Sequence, residues 1–523
     1  MAKRKRQSTF ERLTSGTLNR KRRKELMRRI EAEDPALEIV YRNAAGIDVG
    51  NESHMVSVPP ERDVQPIREF GSWTQALEQM AVWLKGCGIE RVVMQSTGVY
   101  WIALYDVLEE HGLEVCLTNA RDTKNLPGRK SDVGEAQWLR KLYSYGLLRN
   151  SFRPPEEIRS LRSLWRLRDR HVREMGEEIQ HMQKALTQMN VQLANTISDI
   201  SGVTGQAIIR AILAGERDPY QLAALKDYRI QASREEMARS LEGTWREDLL
   251  FELKQVVARY DFCQRQIAEC DERLQSLLAA LPDGPERKRS QEGQAKSSEG
   301  TTAEKPARQK KARKNQPVGL DLQQELKRIC GVDLTRIEGV KLMTAQTFLS
   351  EVGPDMSAFA TEDHLVSWLG LAPKRKNSGG KVIRHEKSRN KNRAAAALRM
   401  AVSTLERSQS YLGARFRSFK SRLGPGKAIK AMAAYLARQI YRMLTRGEEW
   451  VDRGAQEFEK RREHGNEQSW NVWPPTLDVV WCQQSKPRSS QSLAAAVSGE
   501  SGQLSALLHL RSIAPFSASC AVT

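Results

Sequence analysis

From Ile158 to Leu193 an apolar residue recurs at alternating spacings of three and four, through Leu161, Trp165, Val172, Met175, Ile179, Met182, Leu186 and Met189. Arg168 alone breaks the row. A seam sustained over about five heptads predicts a coiled coil or a long helical hairpin across residues 156–195. A long helix packed within its own domain satisfies the same pattern. Pairing between chains would make the protein an oligomer with two active centres on one assembly.

A chain of 523 residues is too long for one core, so two or three domains are expected. The net charge of +20 favours a polyanionic partner, of which nucleic acid is the commonest, against the plain reading of a soluble basic protein. The cysteines, Cys87, Cys116, Cys263, Cys270, Cys330, Cys482 and Cys520, are scattered without a CxxC pair. Neither a disulfide framework nor a zinc module is indicated, and a reducing cytoplasm fits. No apolar run approaches the roughly 20 residues that span a bilayer. The N-terminus lacks the apolar core of a signal peptide.

Residues 1–43 form a basic N-terminal arm, with Lys3-Arg-Lys-Arg6 and Arg20-Lys-Arg-Arg-Lys24. A phosphate-binding arm and a solvated tail fit it equally, and a nuclear-import signal has the same composition. Residues 44–150 read as an α/β domain. Ala45–Val49 and His54–Val58 are expected as strands joined by a turn at Gly50-Asn51, with Ile67–Gly71 as a third. Helix Trp73–Leu84, strand Val92–Met94, helix Ile102–Leu108, strand Leu113–Leu117 and helix Glu135–Leu148 follow. The order β-β-β-α-β-α-β-α is that of a ribonuclease-H-like fold.

Residues 151–282 read as a helical, coiled-coil region. Residues 283–318, rich in Gly, Ser, Gln, Lys, Glu and Pro and ending in Lys310-Lys-Ala-Arg-Lys314, read as a flexible charged linker and the main domain boundary. Residues 319–460 read as a second, mainly α domain. There Ile337–Ala345 resembles half of a helix-hairpin-helix, with Lys341 where a second glycine is usual. Trp368–Pro373, a basic loop Lys374–Lys381 and helices Arg393–Leu405 and Ala428–Leu444 complete it. Residues 461–523, with Trp470, Trp473 and Trp481 among Pro, Gln and Ser, read as a poorly ordered tail, or as the product of a reading-frame change in the source DNA.

Asp48 ends a short apolar strand, Gln95 ends another, and Asp132 and Glu135 stand three apart at the start of a helix. Residues at i and i+3 share a helix face. Three carboxylates and a fourth oxygen ligand could hold two Mg²⁺ ions roughly 4 Å apart for phosphodiester chemistry. Complementing the helix dipole explains Asp132 and Glu135 equally well. In Asn377-Ser-Gly-Gly-Lys381, Gly379 and Gly380 let backbone approach a phosphate that Lys374, Arg375, Lys376 and Lys381 would neutralise. Ser378 could then act as a nucleophile on phosphorus, although an ordinary basic turn has the same composition. His385 is close by, and a lone histidine is weak evidence for a base.

Gly46-Ile-Asp-Val-Gly50, Met94-Gln-Ser-Thr-Gly-Val-Tyr-Trp101, Asn119-Ala-Arg121, Pro127-Gly-Arg-Lys-Ser-Asp-Val133 and Ser378-Gly-Gly-Lys381 together resemble the transposases of the insertion-sequence 110 family. Gln183–Met189 and Ala214–Pro219 extend the resemblance, which spans about residues 44–460. It implies a RuvC-like DEDD domain that binds Mg²⁺, joined through a coiled coil to a transposase domain with a catalytic serine. The serine would form a covalent phosphoserine link with DNA. A structured guide RNA would pair with donor and target DNA, and tetramers built from dimers would join the acidic centre of one subunit to the serine of another. A cytoplasmic, nucleoid-associated location in a prokaryote goes with it. Matched by position, the acidic set is Asp48, Gln95, Asp132 and Glu135, and the serine is Ser378. Gln95 replaces the usual Glu and Glu135 the usual Asp, so the set carries three charges rather than four. A metal-dependent junction nuclease and a catalytically decayed nucleic-acid-binding protein are the competing expectations.

Overall fold

Helix α1, Arg20–Glu31, is almost wholly polar, yet Leu26 and Ile30 lie four apart on one face and both are buried. The computed structural model describes residues 20–32, 37–96, 98–119, 132–284, 315–378, 381–386, 392–447, 454 and 456. The expected tail at 461–523 and most of the 283–318 stretch lie outside them.

After α1 come β1 (Ala44–Val49), β2 (Ser53–Ser57), β3 (Ile67–Gly71), α2 (Thr74–Gly86), β4 (Arg91–Gln95), α3 (Trp101–Glu110), β5 (Glu114–Thr118) and α4 (Asp132–Ser144). The strands form one sheet in the order β3-β2-β1-β4-β5. At the first turn the Gly50 amide donates to the Ser53 carbonyl at 3.1 Å. β1 and β2 run antiparallel, whereas β1, β4 and β5 are parallel. Alternation sorts the side chains between two faces. Ala45, Ile47, Val92, Met94, Val115 and Leu117 pack against α2 and α3 through Leu77, Met80, Leu84, Leu104 and Leu108. Ala44, Val93 and Cys116 pack against Leu139, Leu142 and Tyr143 of α4, with Leu26 and Ile30 of α1. This is the ribonuclease-H-like α/β arrangement that the element order predicts.

The periodic segment becomes α5, Glu156–Gln188, opened by acidic Glu156 and Glu157 that suit the positive end of the helix dipole. Short helices α6 (Leu193–Thr196), α7 (Val203–Leu213), α8 (Pro219–Ala224) and α9 (Arg234–Ser240) follow. Helix α10, Glu247–Ala280, then returns antiparallel along α5, closing a long helical hairpin within one chain. The seam is divided between two cores. Met182, Ala185 and Leu186 join α7 and α10 residues such as Ile208 and Leu253 at one end. Ile158, Leu161 and Trp165 join Leu274 and Leu278 at the other, within a cluster that also holds Leu326, Phe348, Leu398 and Leu436. That cluster therefore takes residues from both sides of the 283–318 stretch.

Its later elements are α11 (Leu322–Cys330), a 3-10 turn Leu334–Arg336, α12 (Leu342–Val352), α13 (Glu362–Trp368), β6 (Lys374–Ser378), β7 (Lys381–Glu386), α14 (Arg393–Ser403), a 3-10 turn Thr404–Arg407, α15 (Tyr411–Leu423) and α16 (Pro425–Arg446). Polar bonds tie them to α5. The Trp165 indole donates to Thr347 Oγ1 at 3.2 Å, and Arg166 Nε donates to Glu351 Oε1 at 2.8 Å. Phe152 packs against Phe359 and Trp368 with centroid distances of 4.8 and 5.3 Å, joining the chain that leaves α4 to this helical unit. In the expected half helix-hairpin-helix, Gly339 has φ +87° and an added Cβ would stand 3.0 Å from Leu405. Backbone conformation and packing together account for that glycine.

The segment read as a basic loop, Lys374–Lys381, differs. Lys374–Ser378 within it are β6, and Lys381 opens β7 of a two-stranded hairpin. Lys, Arg, Asn and Ser give no apolar alternation, so the strand period is invisible in composition.

Candidate active site

The parallel register aligns the C-terminal ends of β1, β4 and β5. Ile47 stands beside Met94, and Gln95 beside Thr118. Ala44, Gly46 and Asp48 alternate with the residues that face α2 and α3, so Asp48 falls on the α4 side of the sheet. Val93 and Gln95 share that side in β4, and Cys116 and Thr118 share it in β5. Asp48 is half-buried and Gln95 is 8 % exposed.

Gly46 is the reason α4 can lie across these strand ends. A Cβ there would stand 2.5 Å from the Arg140 amide nitrogen, and closer still to the Ala136 carbonyl oxygen. Only a residue without a side chain permits that approach. Ala136 is fully buried. Asp132, the first residue of α4, precedes it by one helical turn, and Glu135 immediately precedes it. Glu135 is exposed, and the Asp132 side chain lies outside the described residues. The fold thus brings Asp48, Gln95 and the start of α4 to one edge of the sheet. Among the described residues no three His, Cys, Asp or Glu side chains gather as a metal cluster.

Farther along the interface between α4 and the sheet, burial pushes the Cys116 thiol up to about 12 and raises the Tyr143 phenol as well, so both stay neutral.

Ser378 belongs to other elements. It is the last residue of β6 and pairs in register with Lys381, and the ladder shifts between Lys376 and Asn377. Lys374, Arg375 and Lys376 occupy the same strand, whereas Gly379 and Gly380 lie outside the described residues. The hairpin is anchored on both sides. Leu371 before it is buried in the helical core. Behind it, Asn392 caps α14 by accepting from the Ala395 amide at 3.0 Å, and Arg393 Nη1 bonds Asp169 Oδ2 of α5 at 3.1 Å.

Residues 45–191 match a family model for DEDD transposases of IS110 type, described as Transposase. Residues 333–419 match one described as Transposase IS116/IS110/IS902 family. The chain belongs to the IS110 transposase family. The first match covers the strands and helix that carry Asp48, Gln95, Asp132 and Glu135, and the second covers Ser378. No curated protein matches the chain. Membership makes it a DNA transposase, with DNA as a partner. Among the described residues of this IS110 transposase, no helix is long and apolar enough to cross a membrane.

The DEDD domain points to divalent-metal dependence. The residues present fit such an ion. Asp48, Gln95, Asp132 and Glu135 offer only oxygen donors, as a hard cation requires. Thr118, fully buried beside Gln95, has a hydroxyl without a hydrogen-bond partner, and burying one unsatisfied is unfavourable. Sequence reasoning missed Thr118 because the expected strand ended at Leu117. The signal available was the parallel pairing of β5 with β4, which sets Thr118 level with Gln95.

Proposed function

We propose that this IS110 transposase cuts and rejoins DNA through a serine–phosphodiester intermediate at Ser378, assisted by Mg²⁺ held by Asp48, Gln95, Asp132 and Glu135. On this reading residues 44–150 supply the acidic centre and residues 319–460 the serine. The observation that carries it is the close approach of α4 to β1 at Gly46, which sets the start of α4 beside the strand ends bearing Asp48 and Gln95.

The chemistry is a pair of transesterifications. Ser378 Oγ loses its proton and bonds to phosphorus as the bond to one bridging oxygen breaks, and the leaving oxygen takes up a proton. Attack on the phosphoserine by a hydroxyl of a second strand reverses the exchange and releases Ser378. Lys374, Arg375, Lys376 and Lys381, with backbone at Gly379 and Gly380, would hold the phosphate against the hairpin. A bound divalent cation would neutralise developing charge on the phosphate oxygens.

The family resemblance supports two further elements: a structured guide RNA that pairs with donor and target DNA, and a tetramer in which the acidic centre of one subunit meets Ser378 of another. The long α5–α10 hairpin is the element we assign to holding subunits together.

The test is a covalent adduct on denaturing gels. The native protein with Mg²⁺ and element-end DNA should yield one, and Ser378→Ala should not. An adduct that persists moves the nucleophile elsewhere. Free 5′-phosphate ends without attached protein would point instead to a junction nuclease. A second reading, binding without cleavage, draws on Gln95, which lowers the charge of the acidic set; no product of any kind in Mg²⁺ would favour it.

A further inference from the structure

Helix α1 lies before residue 45, where the first family match begins, so neither match accounts for it. Its sequence, RKRRKELMRRIE, places Arg20, Lys21, Arg22, Arg23 and Lys24 at its start, has no acid in the first turn, and adds Arg28 and Arg29 near its end. That order opposes the helix dipole, whose N-terminal end is positive and favours acids. Repulsion among adjacent cations disfavours the turn further. The helix is nonetheless docked, because Leu26 and Ile30 bury against the α4 cluster of Leu139, Leu142 and Tyr143. Arg22 and Arg28 are exposed. A helix anchored by so narrow an apolar stripe, with cations concentrated where its own field repels them, suits a polyanion as its counterpart.

We propose that α1 grips the phosphate backbone of duplex DNA on its way to the acidic centre. The reason for DNA is α1's seat. It packs on the later half of α4, at Leu139, Leu142 and Tyr143, about two turns beyond Asp132, so a duplex lying along α4 would meet α1 and the acidic edge together. This choice rests on the reading of Asp48 and α4 as the catalytic face. The cationic helix itself does not.

The experiment is the salt dependence of binding, measured with the full-length protein in EDTA so that no cleavage is needed. Random-sequence duplex DNA and an RNA duplex of the same sequence serve as probes. For Arg22→Gln/Arg28→Gln/Arg29→Gln the slope of log K against log salt on DNA should become shallower by about 0.9 for each phosphate left without its cation, so by roughly 2 to 3. Lysine at the same three positions should restore it, because a point charge suffices to neutralise phosphate. Melting temperature should hold, since Leu26 and Ile30 remain. If the triple variant does not fold, Arg28→Gln alone should still lower the slope by about 0.9. An unchanged slope on DNA overturns the proposal, and so does a loss confined to RNA or equal on both probes. Asp48→Asn should leave the slope intact. A failed acidic site and a failed α1 grip on phosphate therefore read out separately.

Discussion

Arg168 of α5 and Asp271 of α10 are paired inside the helical hairpin, both nearly sealed from solvent, with Arg168 Nη2 donating to Asp271 Oδ2 at 3.3 Å and Nε bonded to Oδ1. Arg168 Nη1 also donates to the Asn315 carbonyl at 3.0 Å, and the Val318 amide donates to Asp271 Oδ2 at 3.2 Å. The one break in the apolar seam is thus an ion pair that fixes how α5 and α10 meet and pins the chain at 315–318 against them. Removing one partner leaves a buried charge. Asp271→Ala should cost about 3–5 kcal/mol in urea denaturation. Arg168→Met with Asp271→Leu should recover most of that loss; failure to recover would show that the bonds to Asn315 and Val318, not the charges, matter.

Gly46→Ala should lose about 1–3 kcal/mol or more, because the new methyl meets α4 backbone, which cannot swing aside as a side chain can. The displaced α4 should also weaken Mg²⁺ binding by calorimetry. Gly176 in α5 is the control, as nothing stands within 4 Å of an added Cβ there. Gly176→Ala should leave stability unchanged or raise it by up to about 1 kcal/mol.

His54, in β2 opposite Val49, is buried, and burial lowers its pKa below the ordinary 6.5. The unfolded chain therefore binds this proton more readily than the folded one. Stability should fall as pH drops below about 6.5 and be unaffected by this group above it. His54→Gln should flatten that part of the stability–pH curve, measured by thermal melts from pH 7.5 to 5. A curve of unchanged slope would assign the pH dependence to other groups.

Gln95→Glu restores a fourth charge to the acidic set and should tighten Mg²⁺ binding in calorimetry. Equal affinity for both forms would remove Gln95 from the metal site.

Thr118→Val should act in opposite directions on fold and site. Removing a buried hydroxyl that lacks a partner should stabilise the metal-free protein by about 1 kcal/mol. Mg²⁺ affinity should fall if the hydroxyl serves the bound ion or its water. A variant that is more stable and binds Mg²⁺ as before would confine Thr118 to the core.

Much of the α/β unit was legible from residues alone. Ile47, Val92 and Val115 sit in short apolar runs bounded by polar or turn residues, and Leu77, Met80 and Leu84 keep helical spacing, so each element announced its type. The β6–β7 hairpin did not, because β6 is polar throughout and its pairing is carried by backbone bonds. Thr118 was lost at a strand end, where local pattern is weakest.

By itself the sequence determined which segments of the α/β unit and of the long hairpin are strands and helices, since periods of two and 3.6 are properties of neighbouring residues. It also marked Asp48, Gln95, Asp132, Glu135 and Ser378 as the residues to place. Only the tertiary structure decided that the seam of α5 serves two cores, that Arg168 meets Asp271, and that Gly46 admits α4 to the edge bearing Asp48. Those outcomes are contacts between residues far apart in the chain, and close packing selects them only when every face must be covered at once.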